Sequence, residues 1–300
     1  MRTHLTTRGT LALERSRAMD YITLTKPELT FLSVLTALAG YYLGAGGVFA
    51  GGGLFHTLLG TAMVGGGSGA LNQYIERRYD AQMKRTENRP LPSGRIAPLE
   101  ALLFGLFLSV GGIVYLALAV NMLTGSLAAV TCVTYISLYT PLKRLTPLAT
   151  LIGGIPGALP PVMGWTAATN EISLPALILF AILFFWQMPH FLSLAWMYRK
   201  DYARAGYRLL AVGDTSGGKT AAQSLLHACL LIPVSLLLVP GAGAGMVYGV
   251  SALLLGGGFL SFALTLRSRP TSVAARRLFF ASLAYLPALM LAMVLDRLLR

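Results

Sequence analysis

Asn72, Glu76, Asp80 and Lys84 recur every four residues through the stretch NQYIERRYDAQMKRTENRPLPSGR. On a helix that spacing drifts about 40° and climbs about 6 Å per step, so the four side chains share one stripe. An amide and two carboxylates on a stripe are hard oxygen ligands, suited to Mg2+ held jointly with a substrate phosphate. Lys84, Arg85, Arg89 and Arg95 follow, donors of the kind that clamp phosphate oxygens. Carboxylates beside many cations read as a metal-bridged diphosphate site. The same residues also fit a plainer arrangement, a solvated helix end with i,i+4 ion pairs running into a basic loop.

The elements that must position this stripe are membrane helices. The 300 residues are 55% hydrophobic and 12% charged, against about 25% charged in a soluble domain. Nine runs reach the length of about 20 mostly apolar residues that a span needs: 29–48, 54–73, 99–118, 120–139, 147–167, 172–195, 220–240, 244–266 and 276–296. The expected fold class is an all-α integral membrane protein of nine transmembrane helices. Gly65, Gly66, Gly67 and Gly69 let the second span approach its neighbours closely. Pro156, Pro160 and Pro161 should kink or open the fifth. Cys132 and Cys229 lie inside apolar runs and read as small buried hydrophobes.

The cations set the orientation. Of 24 Lys and Arg, 22 fall before span one or after spans two, four, six and eight, and none falls after spans one, three, five or seven. The positive-inside rule then predicts a multi-pass protein of the cell inner (plasma) membrane, N-terminus cytoplasmic and C-terminus on the outer side. Arg297 and Arg300, at that outer end, are a small departure. A net charge of +13 that punctuates spans in this way points to the lipid bilayer as partner, not to nucleic acid. Residues 1–20 carry Arg2, Arg8, Arg15 and Arg17 without an apolar core and read as a cytoplasmic tail, leaving 21–300 as the membrane domain.

Two cytoplasmic loops exceed the rest, 76–98 and 197–219. Positive-inside topology accounts for their charge; the sharper expectation is that they meet over a cavity and share a substrate. His190 lies in Trp186-Gln187-Met188-Pro189-His190-Phe191. An ionisable residue in a span is a functional candidate, with a helix-packing histidine as the plainer alternative. His56 and His227 read as structural or interfacial. The sequence holds no Walker-type phosphate loop, paired-cysteine metal motif or HExxH zinc motif.

The first stretch resembles the first acidic motif of the intramembrane UbiA-type prenyltransferases. Further motifs resemble the branch of that family that prenylates haem B, the protoheme IX farnesyltransferases. They are Tyr139-Thr140-Pro141-Leu142-Lys143-Arg144, the run GALPPVMGW at 157–165, Trp186 to Phe191, and YRKDYARAG at 198–206. The similarity extends from about Thr25 to the last span. It implies a nine-helix UbiA-type bundle around a central cavity. It also implies Mg2+-dependent transfer of a farnesyl group from farnesyl diphosphate to a vinyl group of haem B, with water added, giving haem O. Haem A synthase or terminal oxidase assembly would be downstream partners.

On this resemblance Asn72, Glu76 and Asp80 bind Mg2+ and diphosphate, and Lys84, Arg85 and Arg89 hold diphosphate oxygens. Lys143 and Arg144 bind either diphosphate or a haem propionate. Tyr139, Tyr198, Arg199, Asp201 and Tyr202 complete the substrate-binding set. His190 is an iron ligand or a proton-transfer group. Two departures stand out: Glu76 occupies a position usually Asp in the superfamily, and the second acidic motif keeps only Asp201. The alternatives are a UbiA-type enzyme acting on an aromatic quinone precursor, a membrane transporter and a non-catalytic haem-handling factor. The transporter reading lacks an evident inverted repeat and an intramembrane ion path. The haem-handling reading leaves the 72–95 stretch without a role.

Overall fold

The computed structural model describes residues 16–48 and 51–300. Arg2, Arg8 and Arg15 of the expected tail lie outside the described residues. Among those described, every regular element is helical. A short α1 (Arg17–Leu24) leads into α2 (Pro27–Gly44), α3 (Gly51–Asp80), α4 (Pro98–Ala119) and α5 (Met122–Leu142). Then come α6 (Ala149–Ala158), α7 (Pro160–Thr169) and α8 (Leu174–Met197). Two short helices, α9 (Arg199–Arg204) and α10 (Leu210–Gly213), precede α11 (Gly218–Ala242), α12 (Met246–Ser268) and α13 (Ser272–Leu298).

Six of these, α4, α5, α8, α11, α12 and α13, are each long and apolar enough to cross a membrane. The other three expected spans fall on α2, α3 and the α6–α7 pair. In α2, Glu28 and several hydroxyl-bearing residues dilute the apolar character. The α3 helix is glycine-rich and extends seven residues past the expected span, to Asp80, with its charged turns attached. The fifth span breaks between Ala158 and Pro160 into two ten-residue helices, as its prolines lead one to expect.

The chain starts its helices with familiar chemistry. Proline stands in the first turn of α2, α4, α7 and α8, where its missing N–H costs nothing. Asn121 caps α5 by accepting from Thr124 N at 2.8 Å, and its amide donates to Thr166 O at 2.8 Å. Packing in lipid depends on close fit rather than on water exclusion. Gly40 of α2 lies against the Pro161 carbonyl, and Gly164 of α7 against the Ala37 carbonyl, so a Cβ at either position would strike backbone. Two polar side chains within α8 are satisfied across helices: Trp186 Nε1 donates to Ser282 O at 2.9 Å and Gln187 Nε2 to Gly154 O at 2.7 Å.

Two expectations about the periphery need correction. Cys132 is buried as expected, but Cys229 is exposed on α11, because the seven-residue spacing that buries Ser224 and Leu231 leaves residue 229 on another face. Arg17–Asp20 are not loose tail. They form the first half of α1, where Arg17 pairs with Glu100 at 2.7 Å and Asp20 with Arg95 at 3.0 Å. Arg95 therefore fastens α1 to the start of α4 and does not point at the stripe.

Candidate active site

The last three turns of α3 carry the site. Asn72, Glu76 and Asp80 are buried on one stripe, as their spacing predicts, and each meets a basic group from a different segment. Lys26 Nζ donates to Asn72 Oδ1 at 2.5 Å. Lys143 forms an ion pair with Glu76. Arg89 Nη1 lies 2.8 Å from Asp80 Oδ2. Asn72 is further fixed by its donated bond to Thr140 Oγ1 at 3.0 Å. Gln73 Nε2 donates to the Thr23 and Leu24 carbonyls at 3.0 and 3.1 Å, which holds the α1–α2 corner, and with it Lys26, over the stripe. The left-handed backbone of Lys26, φ 49°, turns the chain there.

Electrostatics follow from this crowding. Burial works against the charge on Lys143, but Glu76 and then Tyr139 hold its pKa well above the ordinary lysine value. Burial, and next the neighbouring Arg89 cation, push Lys26 down to about 7 against the pull of Glu76. Burial followed by the Glu76 charge raises the pKa of Tyr207.

Lys84 is not part of the stripe. The α3 helix stops at Asp80, Met83 turns into the core, and Lys84 is exposed in the loop beyond. The Thr86 hydroxyl donates to the Asp80 carbonyl at 2.8 Å, so the chain folds back instead of continuing the helix. That fold brings Arg89 onto Asp80.

The two large loops meet. Arg85 donates to the Tyr202 hydroxyl at 3.3 Å and lies 5.3 Å from the Tyr198 ring centroid. Arg144 hydrogen-bonds Tyr79 and stacks on its ring at 4.0 Å. Tyr139 lies under the Lys143 ammonium, 4.7 Å from ring centroid to Nζ. Arg208 N donates to Lys143 O at 2.9 Å, joining the second loop to the end of α5. Arg199 and Asp201 stand apart from the stripe. Arg199 stacks on Trp196 at 4.1 Å and donates to its carbonyl, while Asp201 pairs with Arg204 at 2.7 Å. Sequence reasoning missed two residues here, Lys26 and Tyr207. A lysine directly before the Pro27 that opens the first span was the available signal for Lys26; nothing local marks Tyr207.

Below the charged cluster lies a largely apolar cavity of about 1000 Å³, part of it open to the surroundings. Its walls include Leu29, Val64, Met163 and Leu183, with Tyr135 and Tyr139. Both tyrosines lie in a π-helical turn of α5, Thr134–Tyr139, a wider coil often found at functional sites. Gly65, Gly69 and Gly157 also line it, and a Cβ at each would meet Thr30, the Thr25 carbonyl and Gln187 respectively, so they let the cavity's walls approach closely.

His190 is on the cavity wall, stacked with Trp186 at 5.3 Å and Phe279 at 4.7 Å. Its Nδ1 lies 2.8 Å from Ser282 Oγ, and that hydroxyl donates its proton to Phe279 O at 2.5 Å. Ser282 must therefore accept, so Nδ1 carries the proton and Nε2 keeps its lone pair. The other two histidines among the described residues have structural partners. His56 Nδ1 lies 2.6 Å from the Tyr115 hydroxyl, and His227 Nδ1 lies 2.7 Å from Gln223 O.

Among the described residues, no three His, Cys, Asp or Glu side chains converge as a ready-made metal cage. The donor set still fits one mode of Mg2+ binding, in which one or two carboxylates act together with substrate phosphates. Glu76 and Asp80 stand one turn apart, each held by a cation that a phosphate can recruit. Asn72 is about 12 Å along the axis from Asp80, and both ends of its amide are engaged. A single ion therefore cannot take all three as ligands.

A polytopic helical bundle with a charged mouth over an apolar cavity defines a membrane enzyme of the intramembrane prenyltransferase class. The chain belongs to the UbiA prenyltransferase family, whose profile matches residues 33–284. It is 44% identical over 290 residues to a Koribacter versatilis protein named protoheme IX farnesyltransferase, covering 93% of each chain. A Salinibacter ruber protein of the same name is 48% identical over 277 residues, covering 92% of this chain and 98% of that one. The fold matches a structure of digeranylgeranylglyceryl phosphate synthase with a TM-score of 0.79 at 17% identity, covering 94% of this chain and 99% of that one. It also matches an Archaeoglobus fulgidus UbiA homologue bound to GPP and Mg2+, TM-score 0.64 at 14% identity, covering 91% and 99%.

Proposed function

We propose that this protein transfers a farnesyl group from farnesyl diphosphate to a vinyl group of haem B, with addition of water, yielding haem O. The observation that carries this reading is the buried cluster of three basic and two acidic side chains at the mouth of an apolar cavity with His190 on its wall. Sequence similarity to proteins named protoheme IX farnesyltransferase supports the choice of acceptor.

Diphosphate leaves readily only when its growing charge is neutralised. Lys26, Lys143 and Arg89 exchange their contacts with the stripe for diphosphate oxygens, and Arg85 closes over them from the loop. Glu76 and Asp80, released from those cations, would hold Mg2+, which when bound supplies Lewis-acid stabilisation of the leaving group. The Tyr139 and Tyr135 rings face the allylic carbon and shield it from water within the cavity. The terminal vinyl carbon of haem forms the new C–C bond. The cation left beside the porphyrin takes water, and that water gives up one proton. His190 Nε2 is the atom that either ligates the iron or accepts this proton. Arg144 is placed for a haem propionate at the rim.

By the positive-inside rule, the reading puts the N-terminus and the mouth on the cytoplasmic side of the plasma membrane. The chain before α1 is assigned to a tail and the remainder to one membrane domain. The product would pass to haem A synthase or to terminal oxidase assembly.

The test is mass spectrometry of haem extracted after incubating purified protein with haem B, farnesyl diphosphate and Mg2+. A species heavier by one farnesyl group and one hydroxyl, absent with EDTA, is the expected result. Unmodified haem from folded protein that binds farnesyl diphosphate would assign a different prenyl acceptor.

A further inference from the structure

A second binding feature lies outside the catalytic cavity, on the outer face of α12 and α13. Phe262 of α12 and Val273, Arg276, Arg277, Phe280 and Ala284 of α13 line an open groove of about 890 Å³. The α13 members recur at three- and four-residue intervals, so they form one face. Along that face the chemistry changes in order: two arginines at the start of the helix, an aromatic ring one turn on, then small residues. Val273 is 63% exposed and Phe280 53%. Arg276 and Arg277 are exposed too, and Arg276 lies 5.6 Å from the Phe280 ring centroid.

Among the described residues, neither arginine forms an ion pair with a carboxylate. Between Asp214 and Asp296 the sequence contains no acidic residue, while Arg267 and Arg269 add to the same end of the pair of helices. The face from Val273 to Ala284 rises about 16 Å, roughly half of the ~30 Å hydrocarbon core. It therefore has the height of one leaflet, with the positive charge at the headgroup level and the small-residue trough at acyl depth.

We infer that this groove is a specific site for one anionic phospholipid, whose phosphate sits on Arg276 and Arg277 and whose acyl chain lies along Phe280 and Ala284. Charge complementarity selects the headgroup, because the arginines form no ion pair with a carboxylate among the described residues. The trough, which a free anion would not need, selects a lipid over inorganic phosphate.

Native mass spectrometry of the full chain, exchanged into detergent with equal amounts of phosphatidylglycerol and phosphatidylcholine, tests this. Wild type should retain one phosphatidylglycerol in preference to phosphatidylcholine. Arg276→Gln/Arg277→Gln should retain several-fold less. Arg208→Gln/Lys219→Gln, with the same change in charge elsewhere on the basic side, should retain as much as wild type. Ala284→Trp fills the trough, keeps both arginines and should also lose the lipid, so the test stands even if the arginine variant fails to fold. Equal retention of the two lipids would overturn the proposal. So would unchanged retention in the Ala284 variant, or full displacement of phosphatidylglycerol by inorganic phosphate.

Discussion

Buried carboxylates occupy both ends of the bundle, and their partners differ in kind. At the end away from the mouth Asp296, 2% exposed, accepts from Gly245 N at 2.7 Å and Tyr248 N at 3.1 Å, and pairs with Arg300 of its own helix at 2.8 Å. Those backbone donors open α12 and cannot move. Arg297 and Arg300 also donate to the Ala242 and Gly243 carbonyls at the end of α11, which gives these two cations, a departure from the charge rule, a structural reason. At the mouth, Glu76 and Asp80 are paired with cations on long, flexible stems reaching in from two other segments. One cluster is closed by fixed groups and staples helices together. The other is held by partners that a phosphate can take away. Burial and ion pairing alone do not separate a staple from a site; the mobility of the partners does.

The largest effect should come from breaking the exchangeable cluster. Asp80→Ala removes one of the two carboxylates, and prenylated haem should fall by about 100-fold or more, while the protein still inserts and folds. Asp80 near wild-type activity would place it with the staples. His190→Ala should come next. It should lower turnover with haem by about 100-fold, within the range for a lost acid–base group, and leave farnesyl diphosphate affinity nearly unchanged. Equal loss of both, measured by direct binding, would make it a packing histidine after all.

A smaller effect sharpens the role of Lys26. Free of substrate its pKa is about 7, and a bound diphosphate raises it by favouring the charged form. Its contribution to binding is then present at low pH and is lost as pH rises from about 7 toward the higher bound-state value. Lys26→Arg stays charged throughout. The ratio of wild-type to Lys26→Arg affinity for farnesyl diphosphate should therefore fall between pH 6 and 9; a flat ratio would contradict this. The smallest effect on chemistry belongs to the staple. Asp296→Ala leaves two backbone N–H groups unpaired and should cost about 1–3 kcal/mol of stability, read as a lower melting temperature. Activity per folded molecule should stay within about twofold.

Much of this comparison was legible in the sequence. Apolar runs gave the nine helical segments, because a span must be long and apolar. The four-residue repeat gave Asn72, Glu76 and Asp80, because α3 carries its regular period to that point. The same extrapolation failed one step later at Lys84: the helix ends, and tertiary contacts of Met83 and Thr86 decide where the chain goes. Lys26 was counted only among cations that set topology. Its function depends on Gln73 holding the α1–α2 corner, a contact across nearly fifty positions that no local pattern carries. Asp296 and its arginines read as a departure from the charge rule until the turn they cap was visible. Arg199 and Asp201 entered through motif resemblance, and the fold engages them locally with Trp196 and Arg204.

The most direct test of the central claim is calorimetric binding of an unreactive farnesyl thiodiphosphate to wild type, Asp80→Ala and Asp296→Ala, each with and without Mg2+. The exchangeable-cluster account predicts Mg2+-dependent binding in wild type and Asp296→Ala, with the Mg2+ dependence lost in Asp80→Ala. Binding of equal strength and equal Mg2+ dependence in Asp80→Ala would contradict it.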